Sequence, residues 1–293
     1  MVGSNPEPTA GDSPLIRAKK LPHPWRNLAA ALLIFLVLAF ILDASKREAY
    51  DWPAVGKYLF DHRVLEASLN TLQLTVYSML GAVVLGVLLA IMRQSPNPVL
   101  KVVSWLFIWI FRGTPVYVQL VFWGLFAVIY QQISFGLPFL DPWFAFDTKV
   151  AVNVFILAIV GLALNEAAYM AEIVRAGLLS VDSGQTEAAK ALGFTWSQTI
   201  WNIVLPQAMR FIIPPTGNEV ISMLKTTSLV TAVPYSFDLY ARTHDIAAET
   251  FNPIPLLIVA SIWYLVFTTI LMVGQKFVEQ RFSRGFAGGG ANV

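Results

Sequence analysis

The chain has 293 residues, of which 56% are hydrophobic and only 13% are charged. Because a soluble globular domain usually carries about 25% charged residues, this composition excludes an ordinary soluble domain and favours a membrane protein. The formal net charge is +2 and no arginine-rich tract is present, so nucleic-acid binding has no support. Cysteine is absent and the three histidines lie far apart in sequence, so we expect neither disulfides nor a metal site.

The N-terminal region combines a polar tail with an apolar run. Residues 1–24 are rich in Pro, Gly and Ser and end in basic residues, which predicts a disordered cytoplasmic tail. The run from Asn27 to Leu42, with Trp25 and Arg26 as interfacial flanks, predicts an extra transmembrane helix at 25–43. It could instead be the core of a signal peptide cleaved near "LDAS". We favour an uncleaved helix, because the preceding tail is long for a signal peptide.

Five further membrane spans are predicted after a mixed-charge outer segment at 44–67. They are Ser68–Met92, Pro115–Tyr130, Val150–Ile173, Pro214–Val233 and Ile254–Gly274. "FRGTP" at 111–115 breaks the third apolar stretch, because proline removes a helix hydrogen bond and disfavours helix at the residue before it. Gly81, Ala82 and Gly86 suit close helix contact. The prediction is an all-α membrane protein with six transmembrane helices, joined outside by loops such as "SFGLPFLDPW".

Orientation follows from the placement of Lys and Arg, which are enriched in cytoplasmic segments. With the N-terminus inside, the inner segments hold twelve of the chain's 20 Lys and Arg residues and the outer segments hold six. The other two are Arg112 and Lys225, within the apolar stretches. Both termini are therefore predicted to be cytoplasmic, together with the polar stretch "EAAKALGFTWSQTIWNIVLPQA" at 187–208.

This polar stretch predicts two short helices joined by a turn. Gly193 is expected to end the first helix, Thr195 or Ser197 to cap the second, and Pro206 to end the second. Trp196 and Trp201 fall on one side of the second helix at helical spacing. From periodicity alone, an amphipathic hairpin resting on the bilayer surface is an open alternative.

The ordered spacing within this stretch is more specific than its periodicity. The defined positions are Glu187, Ala188, Ala189, Gly193, Ile203, Leu205 and Pro206. The pattern resembles the EAA loop of the permease subunits of ABC-type importers and matches it at every defined position. The resemblance implies that residues 183–208 form cytoplasmic coupling helices that sit in a groove of a separate ATPase subunit.

The resemblance extends over residues 68–277 and implies the five-helix core of a type I ABC importer, with the N-terminal helix as an addition and a cytoplasmic tail at 278–293. "FRGTPVYVQL" at 111–120, "LNEAAYMAEIVRAGL" at 164–178 and "MLKTTSLV" at 223–230 resemble the branch that imports polar amino acids. The implied function is a permease subunit in a bacterial inner membrane, working by alternating access. A related small solute, such as an opine or an ectoine-like compound, is an alternative cargo.

The chain has no G-x-x-x-x-G-K-[ST] phosphate loop, so ATP must be hydrolysed elsewhere. We expect no cofactor on this chain, with ATP and Mg²⁺ held by a dimer of the partner ATPase. The resemblance further implies a second permease subunit, identical or related, an extracytoplasmic substrate-binding protein and surrounding membrane lipid.

Substrate contact is expected among polar residues inside the spans, because ionisable groups there are costly and usually face a cavity. The candidates are Asn165, Glu166, Tyr169, Glu219 and Lys225. Glu166 could bind an ammonium group and Lys225 a carboxylate, although Lys225 could equally pair with a glutamate of the bundle.

Three further residues are candidates for a gate or for structural ion pairs: Arg112, Glu172 and Arg175. Glu172 and Arg175 are spaced to pair along one helix, and Arg112 could pair with Glu172 instead. Two other classes of function stay open from the residues alone. One is a membrane-embedded enzyme that uses Glu166, Glu219 or Asp238, and the other is a passive channel.

Overall fold

The computed structural model of the chain describes residues 24–137, 140–148 and 152–282. Nearly all of the predicted N-terminal tail, the predicted C-terminal tail beyond residue 282, and Val150 lie outside these ranges. The chain divides into one unit at Met1–Tyr50 and a second at Asp51–Val293. In the first unit, helix α1 (Pro24–Lys46) is followed by a 3₁₀ turn at Glu48–Tyr50.

The second unit is built almost entirely from helices. They are α2 (Trp52–Leu59), α3 (His62–Gln94), α4 (Pro98–Gly113), α5 (Val116–Gly124), α6 (Phe126–Ile129), α7 (Val154–Leu179), α8 (Ser183–Ala191), α9 (Trp196–Thr199), α10 (Leu205–Thr226), α11 (Leu239–Thr250) and α12 (Pro253–Phe282). A π-helical turn at Ile200–Val204 joins α9 to α10, and a 3₁₀ helix at Thr227–Ala232 follows α10.

Four described helices are long and apolar enough to cross a membrane: α1, α3, α7 and α12. The bent pair α4 and α5 adds a fifth candidate. The predicted span at Pro214–Val233 is not among them, because its helix α10 carries several polar residues and gives way to the 3₁₀ helix. The predicted count of six spans is therefore not confirmed.

Helix α1 is apolar around its whole circumference. Within its own unit only Ala44 is buried, and the mean hydropathy of its most apolar stretch is 2.6. A helix that satisfies its backbone hydrogen bonds internally and presents apolar side chains on every face is suited to lipid.

The centre of the second unit is α7, which packs against α3, α4, α5 and α10. Small residues bring α3 and α7 together, as the sequence predicts. A Cβ atom added at Gly86 would lie 2.6 Å from the Cβ of Met170, and one added at Gly81 would lie 3.3 Å from the Cβ of Ala163. Ala82 is fully buried. The apolar core is continuous from this contact to α10 and the 3₁₀ helix.

The predicted loop "SFGLPFLDPW" contains part of a β-hairpin, which is a departure from the all-α prediction. Strand β1 (Gln132–Phe135) pairs antiparallel with β2 (Phe144–Asp147), with Gln132 opposite Asp147. The rings of Phe135 and Phe144 lie 5.5 Å apart across the strands. Aromatic cross-strand pairs of this kind stabilise short hairpins.

A buried polar network fixes the segment that precedes α12. Asp238 caps α11 by accepting from the backbone N–H of Tyr240 at 3.0 Å. Thr71 of α3 donates its hydroxyl to Asp238 at 2.6 Å and accepts from the N–H of Leu239 at 2.9 Å. Burial raises the pKa of Asp238 above its ordinary value, and these hydrogen bonds oppose that shift. The carboxyl group therefore serves the fold as a helix cap.

Candidate functional site

The glycine turn of the EAA hairpin (residues 183–208) has the geometry that the sequence predicts. Helix α8 is capped at its N-terminus by Asp182, whose carboxylate accepts from the N–H of Gly184 at 2.7 Å. The turn after the helix contains Gly193, whose φ of 80° is in the left-handed region. The N–H of Gly193 donates to the carbonyl of Lys190, and that of Phe194 donates to Ala189, each at 3.0 Å. These two backbone hydrogen bonds together form a Schellman motif. Glycine can adopt the left-handed conformation that the motif requires because it has no Cβ.

The second half of the EAA hairpin begins as predicted but does not end as predicted. Thr195 caps α9 in a reciprocal capping box with Gln198. The prediction that Pro206 ends this helix is wrong, because the chain continues through the π-helical turn into α10. The N–H of Leu205 donates to Ile200, five residues back. The wider π turn accommodates a proline that has no N–H to donate at the first turn of α10.

The helical path continues beyond the π-helical turn. Helical backbone runs from Trp196 to Thr226, with Pro214 and Pro215 inside α10 as two residues that donate no backbone hydrogen bond. Gln207 adds a side-chain bond to the carbonyl of Ile203 at 3.0 Å. The glycine turn is therefore connected through helical backbone to Glu219, one of the predicted substrate residues.

The EAA hairpin presents an apolar surface that its own chain leaves open. Leu192, Trp196 and Trp201 are 78%, 74% and 66% exposed. Glu187 and Ala188 are also exposed, whereas Ala189 is buried inside the hairpin. Leu192 was not predicted from the sequence to belong to this surface. Its position beside the helix-ending glycine is the feature that could have indicated it.

Ile203, Leu205 and Pro206, the remaining positions of the EAA pattern, lie in the π turn and the first turn of α10. Ile203 and Leu205 are half-buried, and Pro206 is exposed. They join the glycine turn to the long helix α10.

Two glutamates meet between α7 and α10. Glu166 is 7% exposed and Glu219 is half-buried, and the two carboxyl groups are close enough to share a hydrogen bond and to repel each other when both are ionised. Within the described part of the chain, Oε1 of Glu166 has no hydrogen-bond partner. Buried polar atoms are usually paired, so an unpartnered carboxyl oxygen beside a second acid marks a place where a cation would be stabilised.

Lys225 does not join this pair. Its side chain is exposed, and the ion pairs found among residues 24–137, 140–148 and 152–282 do not link it to Glu166 or Glu219. The alternative in which Lys225 holds the bundle by such a pair therefore has no support in this conformation.

The predicted gate residues make contacts with α7. The guanidinium of Arg112 lies 5.3 Å from the ring centroid of Tyr169, a cation–π arrangement. Arg175 donates to Glu172 at 2.6 and 3.0 Å, so the intrahelical pair forms and Arg112 is engaged elsewhere. Tyr169 itself is 37% exposed, on the face of α7 that also carries Glu166.

Asn165 is held by the break between α4 and α5, where the two helix axes differ by 101°. Its amide nitrogen donates to the carbonyl of Phe111 at 3.0 Å and to the side-chain oxygen of Gln119 at 3.1 Å. Gln119 was not singled out from the sequence. Pro115 is the feature that could have indicated it. Because Pro115 has no N–H to donate to the carbonyl of Phe111, four residues back, that carbonyl needs a side-chain donor nearby.

Two cavities lie apart from the glutamate pair. The larger, of about 700 Å³, lies between the ends of α7 and α12 and the first half of α10, where Asp182, Arg210, Lys276 and Glu279 line it. The smaller, of about 330 Å³, is lined by Tyr235, Tyr240 and His244 among others. Among the residues that the structure describes, no cluster of His, Asp and Glu could hold a metal ion.

The chain resembles known proteins along most of its length. Residues 82–284 match the family described as binding-protein-dependent transport system inner membrane component. The arginine transport system permease protein ArgU of Corynebacterium glutamicum is 56% identical over 92% of this chain and 84% of that protein. The histidine/lysine/arginine/ornithine transport system permease protein HisM of Escherichia coli is 38% identical over 72% of this chain and 85% of that protein.

The fold also has a solved counterpart. A crystal structure of an amino acid ABC transporter with histidines superposes with a TM-score of 0.62 at 31% identity, covering 75% of this chain and 94% of that one.

Proposed function

Since this chain belongs to the family of binding-protein-dependent transport system inner membrane components, it is a permease subunit of an amino acid ABC importer, and we propose that its cargo is a cationic amino acid such as arginine. Its fold is that of type I ABC importer permeases. It is a transport subunit and not an enzyme, which removes the membrane-embedded enzyme and the passive channel from consideration.

The observation that carries the cargo proposal is the pair Glu166 and Glu219. Two carboxyl groups on facing helices, one of them buried with an unpartnered oxygen, form a locally acidic site in an apolar bundle. Burying such groups costs free energy, and a cation placed between them offsets both the desolvation and the mutual repulsion. A guanidinium group fits this role well, because its planar fork donates to carboxylates in pairs. The cargo named for the relative at 56% identity is arginine.

Coupling to ATP hydrolysis is proposed to run through the EAA hairpin. The exposed side chains of Leu192, Trp196 and Trp201 form an apolar ridge that a groove on the separate ATPase would bury. Closure of the ATPase dimer around ATP and Mg²⁺ would push this ridge, and the unbroken run into α10 would move Glu219 relative to Glu166. Separation of the two carboxyl groups would weaken the hold on the cation and release it on the other side.

We further propose the membrane arrangement. The chain crosses a bacterial inner membrane six times, with both termini in the cytoplasm. The sixth span is α10 with its 3₁₀ extension, whose polar residues keep its hydropathy below that of an ordinary membrane-spanning helix. A polar span is expected where a helix faces a pathway shared with a second permease subunit. Residues 68–277 form the transport domain, the helix at 25–43 is an addition to it, and the outer ends receive an extracytoplasmic binding protein.

Substitution of the two glutamates tests the cargo proposal. Glu166→Gln and Glu219→Gln keep the shape of each side chain and remove its charge, and Glu66→Gln is a matched control on the exposed side of α3. The assay measures uptake of radiolabelled arginine by the complete complex in proteoliposomes, in competition with lysine, glutamine and histidine. We expect both pathway variants to lose preference for cationic over neutral amino acids, and the control to keep it. An unchanged preference in both variants refutes the role of the pair.

Copurification tests the coupling proposal. Deleting residues 187–206 should release the ATPase from the detergent-extracted complex, whereas deleting residues 1–24 should not. Retention of the ATPase after the first deletion contradicts docking through the hairpin.

A further inference from the structure

The carbonyl of Phe111 is an orphan of the helix break. In a continuous helix it would accept from the N–H of residue 115, but that residue is Pro115 and has none. A buried carbonyl without a donor carries a desolvation penalty, so another donor must reach it. Both donors that do so are neutral side-chain amides, from Gln119 and from Asn165, each at 3.0 Å.

The two amides arrive from different helices and are joined to each other. Gln119 lies on α5, just past the break, and its two N–H groups have three acceptors within reach: the Phe111 carbonyl at 3.0 Å, the Thr114 hydroxyl at 2.7 Å and the Thr114 carbonyl at 3.1 Å. Asn165 lies on α7 and donates to the side-chain oxygen of Gln119 at 3.1 Å. Gln119 is 9% exposed. The Phe111 carbonyl, Gln119 and Asn165 thus connect the end of α4, the start of α5 and the middle of α7; we name this set the amide clamp.

We propose that the amide clamp is a positioning device of the transport cycle, in which Asn165 and Gln119 hold the bend between α4 and α5 against α7. The role of the clamp in the transport cycle rests on the proposed function, whereas its contacts with the bend between α4 and α5 do not. Arg112 is bonded directly to Phe111 in the chain, so the clamp also fixes the base from which Arg112 reaches the ring of Tyr169. Tyr169 and Glu166 lie on the same helix face, one turn apart.

The clamp changes the role expected of Asn165. Both N–H groups of its amide nitrogen donate to protein groups, so this nitrogen is not available to a substrate and Asn165 acts as a positioning residue. A neutral amide suits this place, because it pairs with a carbonyl without adding charge to a site that already holds two acids. Three acceptors lie within reach of the Gln119 amide nitrogen: the carbonyl of Phe111 and the carbonyl and hydroxyl of Thr114. The amide can therefore change from one acceptor to another as the bend between α4 and α5 opens or closes.

The absence of cysteine allows the bend to be measured directly. Spin labels at Val103→Cys on α4 and Val118→Cys on α5, both exposed positions, report the distance across the break in the full complex. We expect a narrow distance distribution in the parent chain and a broadened or shifted one with Asn165→Leu or Gln119→Leu. Asn70→Leu, on α3 and outside the clamp, is the control and should leave the distribution narrow.

Transport kinetics separate positioning from substrate binding. Asn165→Leu and Gln119→Leu should each lower the kcat of ATP-driven arginine uptake about tenfold with little change in KM, and the double variant should be no worse than either single one. In a Pro115→Ala background the restored N–H can serve the Phe111 carbonyl, so Asn165→Leu should cost less there. This rescue also excludes a general folding defect.

The outcomes distinguish the clamp from the proposed cargo. A narrow, unshifted distribution in Asn165→Leu together with a raised KM overturns the clamp and makes Asn165 a substrate ligand. Additive effects in the double variant, or no rescue by Pro115→Ala, also count against it. If the parent complex does not transport arginine but the distance changes occur as expected, the cargo proposal fails and the clamp stands.

Discussion

Gly86 lies where α3 comes closest to α7, and replacing it with alanine perturbs the largest helix contact of the molecule. The added Cβ would lie 2.6 Å from the Cβ of Met170 and 3.1 Å from backbone atoms of Ala167 and Ala171. Carbon atoms pack at about 3.5–4.0 Å, so the contact is short by about 1 Å. Backbone and Cβ atoms cannot rotate away, so the two helices must separate.

The expected cost follows from two opposing effects. Overpacking of a filled core costs about 1–3 kcal/mol. Alanine is better than glycine inside a helix by about 0.5–1 kcal/mol. The difference is about 0–2.5 kcal/mol, and because the contact at Gly86 is with backbone and Cβ atoms we expect Gly86→Ala to lie in the upper half of that range.

Two other glycines serve as graded controls. A Cβ at Gly81 would lie 3.3 Å from Ala163, which small adjustments can absorb, and one at Gly56 would meet nothing within 4 Å. Thermal unfolding of the purified protein in one detergent should rank the melting temperatures as Gly56→Ala highest, Gly81→Ala near the parent, and Gly86→Ala lowest. If Gly86→Ala melts at or above both the parent and Gly81→Ala, the close contact between α3 and α7 is wrong.

Three further predictions concern other parts of the chain. Gly193→Ala forces a φ of 80° on a residue with a Cβ, which costs about 1–2 kcal/mol, a factor of about 5–30 in the population of the turn conformation, and should lower coupled arginine uptake. Gly193→Asn, which tolerates this conformation, should retain more uptake, and equal loss in both variants would show that side-chain bulk matters instead. Thr71→Val should lower the free energy of unfolding by about 1–3 kcal/mol because it leaves Asp238 without its hydroxyl partner, whereas Thr75→Val removes only a bond to its own helix and should cost less; equal costs would argue against the network. The guanidinium of Arg63, hydrogen-bonded to Asp61, holds the pKa of that carboxyl below its ordinary value. The pair therefore stabilises the folded protein by less than about 1 kcal/mol, as expected for a partly exposed pair. This stabilisation is present above about pH 4 and is lost as the pH falls through the folded pKa. The melting temperatures of the parent and Asp61→Asn should therefore converge on acidification, and a gap that widens would contradict the assigned direction.

The glycine turn could be read from local sequence because local rules govern it. A helix-ending glycine favours a left-handed residue, and Thr195 after it favours the N-cap of a new helix. Both preferences act on the local backbone and do not depend on the rest of the chain. The break at Pro115 is similar, since proline acts on its own helix. The same logic failed at Pro206, where the π turn changed which N–H groups were needed.

The residues predicted to contact substrate depend on tertiary packing instead. Sequence identified Glu166 and Glu219 as polar residues in apolar stretches, but their meeting depends on how α7 packs against α10. The role of Asn165 depends on a carbonyl 54 residues away along the chain. Periodicity carries no information about which helices become neighbours.

The sequence by itself determined that the protein is a membrane protein, that an apolar stretch breaks before Pro115, and that the chain carries an EAA pattern with a glycine turn. These properties follow from composition, proline, glycine and an ordered motif, all of which act over short distances in the chain. Only the tertiary structure decided that the hairpin continues into α10 as helical backbone, that two glutamates meet, and that Asn165 and Gln119 hold the bend at Phe111. Such pairings arise when helices distant in sequence close-pack and every buried polar group must find a partner, which is a condition on the whole fold.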